Sequence, residues 1–314
     1  MIELHTFGAN DVYTGSGLAT CVMSVARLRD RYPVRLRVHV PYQDPEVVTS
    51  RPFDREQVRR TAELADALDA EAIVVHRYWA LTGPGASSQT PRHEAEAAFD
   101  EEMLRLSRNA RRQLILVENL GHFWLEPRSL GRYLAGPLDH FFPWEMERFA
   151  TYMRDHGASN VVPMVDIAHA CITANMFNLM RQHFSTLRHD QRFQGITAPD
   201  LDQRRWLTPY DYVDGTPRYF HGSDAIFIGT GETTLQSVDT RADLLTLLTS
   251  EAMPVGRGNL DFSALVDRWL RLPAPEPLVI AEVNPDAGQT HERNGAQEDA
   301  IRRWRWLERE ASVP

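Results

Sequence analysis

The 314-residue sequence contains no lysine: its 34 basic residues are all Arg, set against 43 acidic ones for a formal net charge of −9. That absence removes a Walker A phosphate loop, Schiff-base aldolase chemistry, a pyridoxal-phosphate linkage and a lysine general base. Nucleic acid is disfavoured as a partner, because the balance of charge supplies no cationic sheath for a phosphate backbone. Cysteine is nearly missing too. Cys21 and Cys171 are the only two, 150 positions apart, so neither a disulfide framework nor a Cys-type metal knuckle is available. A reducing, cytoplasmic setting is expected. Long apolar runs are also lacking, and the opening Met1-Ile2-Glu3-Leu4-His5 has no basic segment leading into an apolar one, so neither a membrane span nor a secretory leader is expected.

What is present is ordinary globular material, 43% hydrophobic and 25% charged, in a chain long enough to bury a substantial core. Short apolar runs alternate with longer segments of helical period, the pattern of βα units around a parallel sheet. Strands are predicted near 2–7, 34–40, 72–76, 113–118, 161–166, 217–221, 253–256 and 278–282. Between them, Asp54 and Gln57 form a capping pair, and Val58, Ala62, Ala65 and Leu68 share one helical face. Phe99, Met103, Leu106 and Ala110 do the same, as do Phe262, Leu265 and Trp269. A last helix is expected over about 292–311. No repeat and no Pro/Gly/Ser linker divides the chain, so the expectation is one α/β domain over 1–314, a (β/α)8 TIM barrel. The stretch from about 182 to 216, polar and carrying Trp206, Tyr210 and Tyr212, departs from the spacing and is expected to form a lid or a subunit contact.

In a parallel barrel, the side chains that reach a ligand sit at the C-terminal ends of strands. Six of the eight predicted strands end in His or a carboxylate: His39, His76, Glu118, Asp166, His221 and Glu282. Ionisable groups after apolar runs are costly unless paired, hydrated or bound to a cation, and converging carboxylates repel one another. A divalent metal resolves both costs. The mixed oxygen and nitrogen set suits Mn²⁺, Zn²⁺, Fe²⁺, Co²⁺ or Mg²⁺, and no organic cofactor is called for.

Four motifs then carry a resemblance. They are Glu118-Asn119, the D-x-x-H-A at Asp166 to Ala170, the H-x-x-D at His221 to Asp224, and the G-R-G-x-x-D-F at Gly256 to Phe262, followed by a strand ending in Glu282. Their order and spacing resemble the xylose-isomerase-like TIM barrels, a family that includes sugar isomerases and epimerases, inosose dehydratases and apurinic endonucleases. The resemblance implies that Glu118, Asp166, His221 and Glu282 ligate one catalytic metal. It also implies that Glu118 and Glu282 act as the proton-transferring pair on opposite faces of a polyhydroxylated substrate, with the metal stabilising an enediolate. His169, Arg257 and Asp224 are then expected to contact substrate, and Trp124 to stack on it.

Other readings stand beside this one. Asp166 also fits a helix N-cap, and His221 taken alone fits a satisfied interior histidine. His39 and His76 resemble the histidines that hold a further zinc in the apurinic endonucleases, which keeps open a metal-dependent phosphodiesterase or another di-metal, even oxidative, enzyme. The third zinc site of those nucleases is missing its D-x-H pair here. His5 and His122 read as pocket-lining or core, and Tyr78, Trp79 and Phe123 as stacking groups or as a roof over the barrel. Arg302-Arg303-Trp304-Arg305-Trp306 reads as a solvated helix face over buried tryptophans. Gly229-Thr-Gly231 lacks the rest of a phosphate-loop fingerprint. A barrel that keeps its metal only as a scaffold is the remaining alternative, and a symmetric homo-oligomer is compatible with any of these.

Overall fold

Parallel strands and intervening helices alternate along the chain, as the apolar runs predict. In the computed structural model they are β1 (Ile2–His5), α1 (Gly15–Arg29), β2 (Leu36–His39), α2 (Arg55–Ala67), β3 (Ala72–His76), α3 (Arg92–Asn109), β4 (Leu114–Glu118), β5 (Trp124–Leu125), β6 (Leu134–Ala135) and α4 (Pro143–Asp155). There follow β7 (Val161–Asp166), α5 (Ile167–Gln182), α6 (Phe184–Leu187), α7 (Ala198–Gln203), a 3₁₀ turn (Pro209–Tyr212), β8 (Tyr219–His221), α8 (Phe262–Arg271), β9 (Leu278–Ile280) and α9 (Gly295–Ala311). The structure describes residues 1–5, 14–40, 55–77, 92–110, 112–121, 124–125, 134–135, 141–190, 193, 195–215, 217–230, 247, 250–273, 277–284 and 295–311. The hydrogen-bonded order of the main sheet is β1-β2-β3-β4-β7-β8-β9. Among the described residues no helix is long and apolar enough to cross a membrane. The chain forms two compact units, one of residues 1–118 and 146–163 and the other of 119–145 and 164–314.

In the first unit, β1 to β4 run parallel, with Glu3 opposite Arg37, His5 opposite His39, and His76 opposite Glu118. Because side chains alternate along a strand, Glu3 and His5 share a face of β1, and Arg37 and His39 share a face of β2. The strands are apolar elsewhere, with Val38, Ile73, Val74, Ile115, Leu116 and Val117 all fully buried, as strands covered on both sides require. Phe99, Met103, Leu106 and Ala110 are buried as their spacing predicts. On α2 the buried face is Gln57, Val58, Thr61, Leu64 and Ala65, and it takes Thr61 in place of the expected Ala62. Thr61 sits comfortably inside because its hydroxyl donates to the Gln57 carbonyl at 2.9 Å. Asp54, the other half of the expected capping pair, lies outside the described residues.

In the second unit, β7 leads directly into α5, of which fourteen of sixteen residues are buried. A helix enclosed on this scale cannot leave its polar side chains unanswered. Asn175 donates to the Ile226 carbonyl at 2.7 Å and accepts from the Ile228 N–H at 2.9 Å. Asn178 donates to the Leu207 carbonyl at 2.8 Å and the Gly229 carbonyl at 3.3 Å, and accepts from the Leu207 N–H at 2.9 Å. The 182–216 stretch folds into α6, α7 and the 3₁₀ turn rather than an open loop. Two local signals account for that: Thr197 and Thr208 each cap a turn whose third residue, Asp200 or Asp211, reaches back to them. Tyr212 is buried at its end.

The expected strand at 253–256 is absent. Met253 makes only an isolated antiparallel bridge to Asp224, because Ala252 just before it adopts a left-handed backbone with φ of +53°, which strand geometry excludes. Phe262, Leu265 and Trp269 pack as expected, with Trp269 4.9 Å from the Trp304 ring and Phe262 5.1 Å from it. Of the paired tryptophans on α9, Trp304 is buried, but Trp306 is 46% exposed with Arg303 lying over its ring.

Candidate functional site

The ends of β1, β2 and β3 bring three imidazoles into a row. His5 stacks on His39 with ring centroids 4.5 Å apart, and His39 meets His76 edge-on at 4.6 Å. His39 Nδ1 lies 2.7 Å from its neighbouring carbonyl of Val40. A carbonyl only accepts, so Nδ1 carries the hydrogen and Nε2 is turned to Glu118, whose Oε2 is 3.1 Å away. His76 Nε2 lies 3.3 Å from the same oxygen. Glu118 is fully buried. Two imidazole nitrogens converging on one buried carboxylate oxygen are stabilised by a shared positive charge, and a ring whose other nitrogen is fixed by a carbonyl is the form in which histidine ligates metals. Behind them, Glu3 lies 2.9 Å from His5 Nε2 and 3.8 Å from Arg37, so this buried carboxylate has a guanidinium beside it.

The second unit gathers a different set. Asp166, at the end of β7, has two jobs for its two oxygens. Oδ1 accepts the His169 backbone N–H at 2.7 Å and caps α5, while Oδ2 lies 3.7 Å from His221 Nδ1. His221, with no exposed surface, has the same Nδ1 2.6 Å from Glu282 Oε2. Asp166, His221 and Glu282 each offer one ligand atom within 4.8 Å of the others. The N-cap reading of Asp166 and the ligand reading are therefore compatible. Asn119 holds Asp166 in place from the main chain: its amide oxygen accepts the Asp166 N–H at 2.7 Å and its amide nitrogen donates to the Asp166 carbonyl at 3.1 Å. Two carboxylates and one imidazole converge here. The donor set, oxygen and nitrogen without thiolate, fits a divalent cation.

Of the residues expected to touch substrate, His169 is buried, with Nδ1 2.8 Å from the Asn119 carbonyl and Nε2 3.2 Å from Glu251 Oε1. Asp224 is buried and its carboxylate takes four backbone N–H groups, from Ala225 and Leu260 on Oδ1 and from Gly256 and Gly258 on Oδ2, at 2.8 to 3.2 Å. Burial pushes its pKa up, while those hydrogen bonds pull it back down. Asp224 thus shapes the Gly-Arg-Gly turn. Gly256 supplies the left-handed φ of +89°, and a side chain at Gly258 would run into the Ala225 carbonyl and the Asp224 carboxylate. Arg257 stands exposed at the tip. The side chain of Trp124 lies outside the described residues, as do His122, Phe123, Tyr78, Trp79 and Gly231.

Three participants escape the motif reading. Glu3 and Arg37 are buried inside apolar strands, and their only signal is a charge where the pattern calls for an aliphatic residue. Glu251 has none, since its partner His169 is 82 positions away.

No family model matches the sequence, nor does any curated protein. Solved structures do match in fold. A D-tagatose 3-epimerase-like protein is 16% identical with a TM-score of 0.54, covering 98% of this chain and 88% of its own. A xylose isomerase homologue from Rhodospirillum rubrum is 13% identical at a TM-score of 0.55, over 95% and 84% of the two chains. A protein from Thermus thermophilus, soaked with zinc chloride, is 17% identical at 0.52, over 98% and 88%.

Proposed function

Starting from the xylose-isomerase-like TIM barrel, the fold to which this chain belongs, we propose that it is a metal-dependent isomerase or epimerase of a sugar, cyclitol or related polyhydroxylated compound. The observation that carries the reading is the convergence of buried Asp166 and His221 with half-buried Glu282, ordered by Asn119 into an oxygen and nitrogen donor set that suits a divalent cation. In this reading Glu118 is the fourth ligand, as the family resemblance implies. The ion supplies positive charge where substrate oxygens gain negative charge. The protein's own share is proton transfer. One of Glu118 and Glu282 takes the proton from a carbon next to a carbonyl, and the other returns a proton to the substrate, so no oxidant or reductant is consumed. Arg257 is assigned to a substrate hydroxyl or carboxylate and Trp124 to stacking on the sugar. Solved proteins of this fold whose names include sugar 3-epimerases support the substrate class.

The test is hydrogen exchange. Metal-loaded protein incubated with ketoses in heavy water incorporates deuterium at one carbon, and Glu118→Gln or Glu282→Gln lowers that incorporation by about 10²- to 10⁴-fold. Failure of the loaded wild-type protein to exchange with any ketose or cyclitol overturns the proposal.

A second reading has its own observation, the convergence of His39 and His76 on Glu118. With a second ion held there, the site would be dinuclear and suited to phosphodiester hydrolysis or oxidative chemistry. Metal analysis separates the two: about one ion per chain favours the epimerase, two the dinuclear enzyme.

A further inference from the structure

We propose that Glu251 binds a substrate hydroxyl, with His169 as the residue that positions it; the inference rests on the isomerase reading above. His169 is expected from its motif to face substrate, yet both of its ring nitrogens are occupied, Nδ1 by the Asn119 carbonyl at 2.8 Å and Nε2 by Glu251 Oε1 at 3.2 Å. Its side chain is 6% exposed, whereas that of Glu251 is 40% exposed. One carboxylate oxygen of Glu251 faces the ring. The other is the polar atom of the pair left for a ligand.

The placement of Glu251 is over-determined, and each tie leads to a residue just past a candidate ligand. His169, three positions after Asp166, holds its side chain. Met253 exchanges backbone hydrogen bonds of 2.7 and 3.1 Å with Asp224, three positions after His221. The Asn284 N–H, two positions after Glu282, donates to the Ala252 carbonyl at 2.9 Å. On the other side, Ser250 is buried and its hydroxyl accepts the Ile226 N–H at 3.2 Å. Ala252 pays for this with its left-handed φ of +53°, a conformation that costs an alanine energy and persists only when its surroundings impose it. A half-exposed carboxylate fixed in this way, among segments that lead from Asp166, His221 and Glu282, is an acceptor for O–H donors. Hydroxyl donation to a carboxylate is charge-assisted, so it discriminates strongly against a substrate lacking that hydroxyl.

The experiment compares metal-loaded wild-type protein with Glu251→Gln and Glu251→Ala, measuring deuterium incorporation on the ketohexose that exchanges fastest and on its monodeoxy analogues. Both variants should keep wild-type metal content. Their KM should rise by about 10- to 100-fold, the loss of one charge-assisted hydrogen bond, with kcat changing much less. One monodeoxy analogue should be equally poor for wild type and variants. Unchanged KM values on every sugar overturn the inference and leave the isomerase reading standing. Loss of metal or of folding in both variants makes Glu251 a structural residue and also overturns it. A wild-type protein that exchanges with no sugar takes down the isomerase reading and this inference together.

Discussion

The two units place ionisable groups at their strand ends in opposite proportions. In the first, three imidazoles accompany two buried carboxylates, and Arg37 lies beside Glu3. In the second, one imidazole faces two carboxylates. The first end offers mainly imidazole nitrogen, whereas the second offers mainly carboxylate oxygen, the donor type that hard divalent cations favour. The units differ also in how they hold these groups. Glu118 is met by side chains, but Asp166 is fixed through backbone atoms by Asn119 and by its own cap on α5.

The sharpest way to break this contrast is to remove one group from each end. Asp166→Ala should leave no ion retained after dialysis and lower deuterium exchange by about 100-fold or more. The double variant His39→Ala, His76→Ala should still retain one ion per chain. Metal analysis that gave the reverse would invert the comparison. Next in size, Trp304→Ala in the second unit empties a site between Phe262 and Trp269 and strips the Gly222 carbonyl of its donor. It should cost about 3–5 kcal/mol in urea unfolding. Asn119→Ala leaves the Asp166 N–H and carbonyl without their partners and should cost about 2–3 kcal/mol, with loss of bound metal.

The smallest effect belongs to the first unit. Burial, together with Glu96, raises the Asp100 carboxyl from 3.8 to about 6, although Arg77 and Arg148 oppose the shift. The folded chain therefore keeps this proton to a higher pH than the unfolded chain does. Stability falls as pH rises from about 4 to about 6 and stays lower above that. Asp100→Asn should add about 1 kcal/mol above pH 6, after allowance for solvent screening, and nothing below pH 4. Unfolding free energies measured at both pH values check the sign.

The strand-end residues were legible because a charged group closing an apolar run is a local signal, and β2, β3, β4, β7 and β8 all end on the expected residue. Glu282 shows where that logic thins. β9 stops at Ile280, and Glu282 faces His221 from two residues beyond the ladder. The segment 253–256 misled for a related reason: its apolar composition suits a strand, but nothing in its letters reveals the left-handed Ala252. The Thr-x-x-Asp turns within 182–216 were readable and were obscured by the polarity around them. The cap that Asp166 makes on α5 follows from its position at a strand-to-helix turn. The pairing of Glu251 with His169 does not, since only tertiary folding joins residues so far apart.

The buried amides of Asn175 and Asn178 grip residues 226–229 through main-chain atoms alone. A segment anchored that way can exchange its side chains without losing its course. Side chains at Ile226, Phe227 and Ile228 are consequently free of any part in that grip, and changes of bulk there leave the scaffold beneath in place.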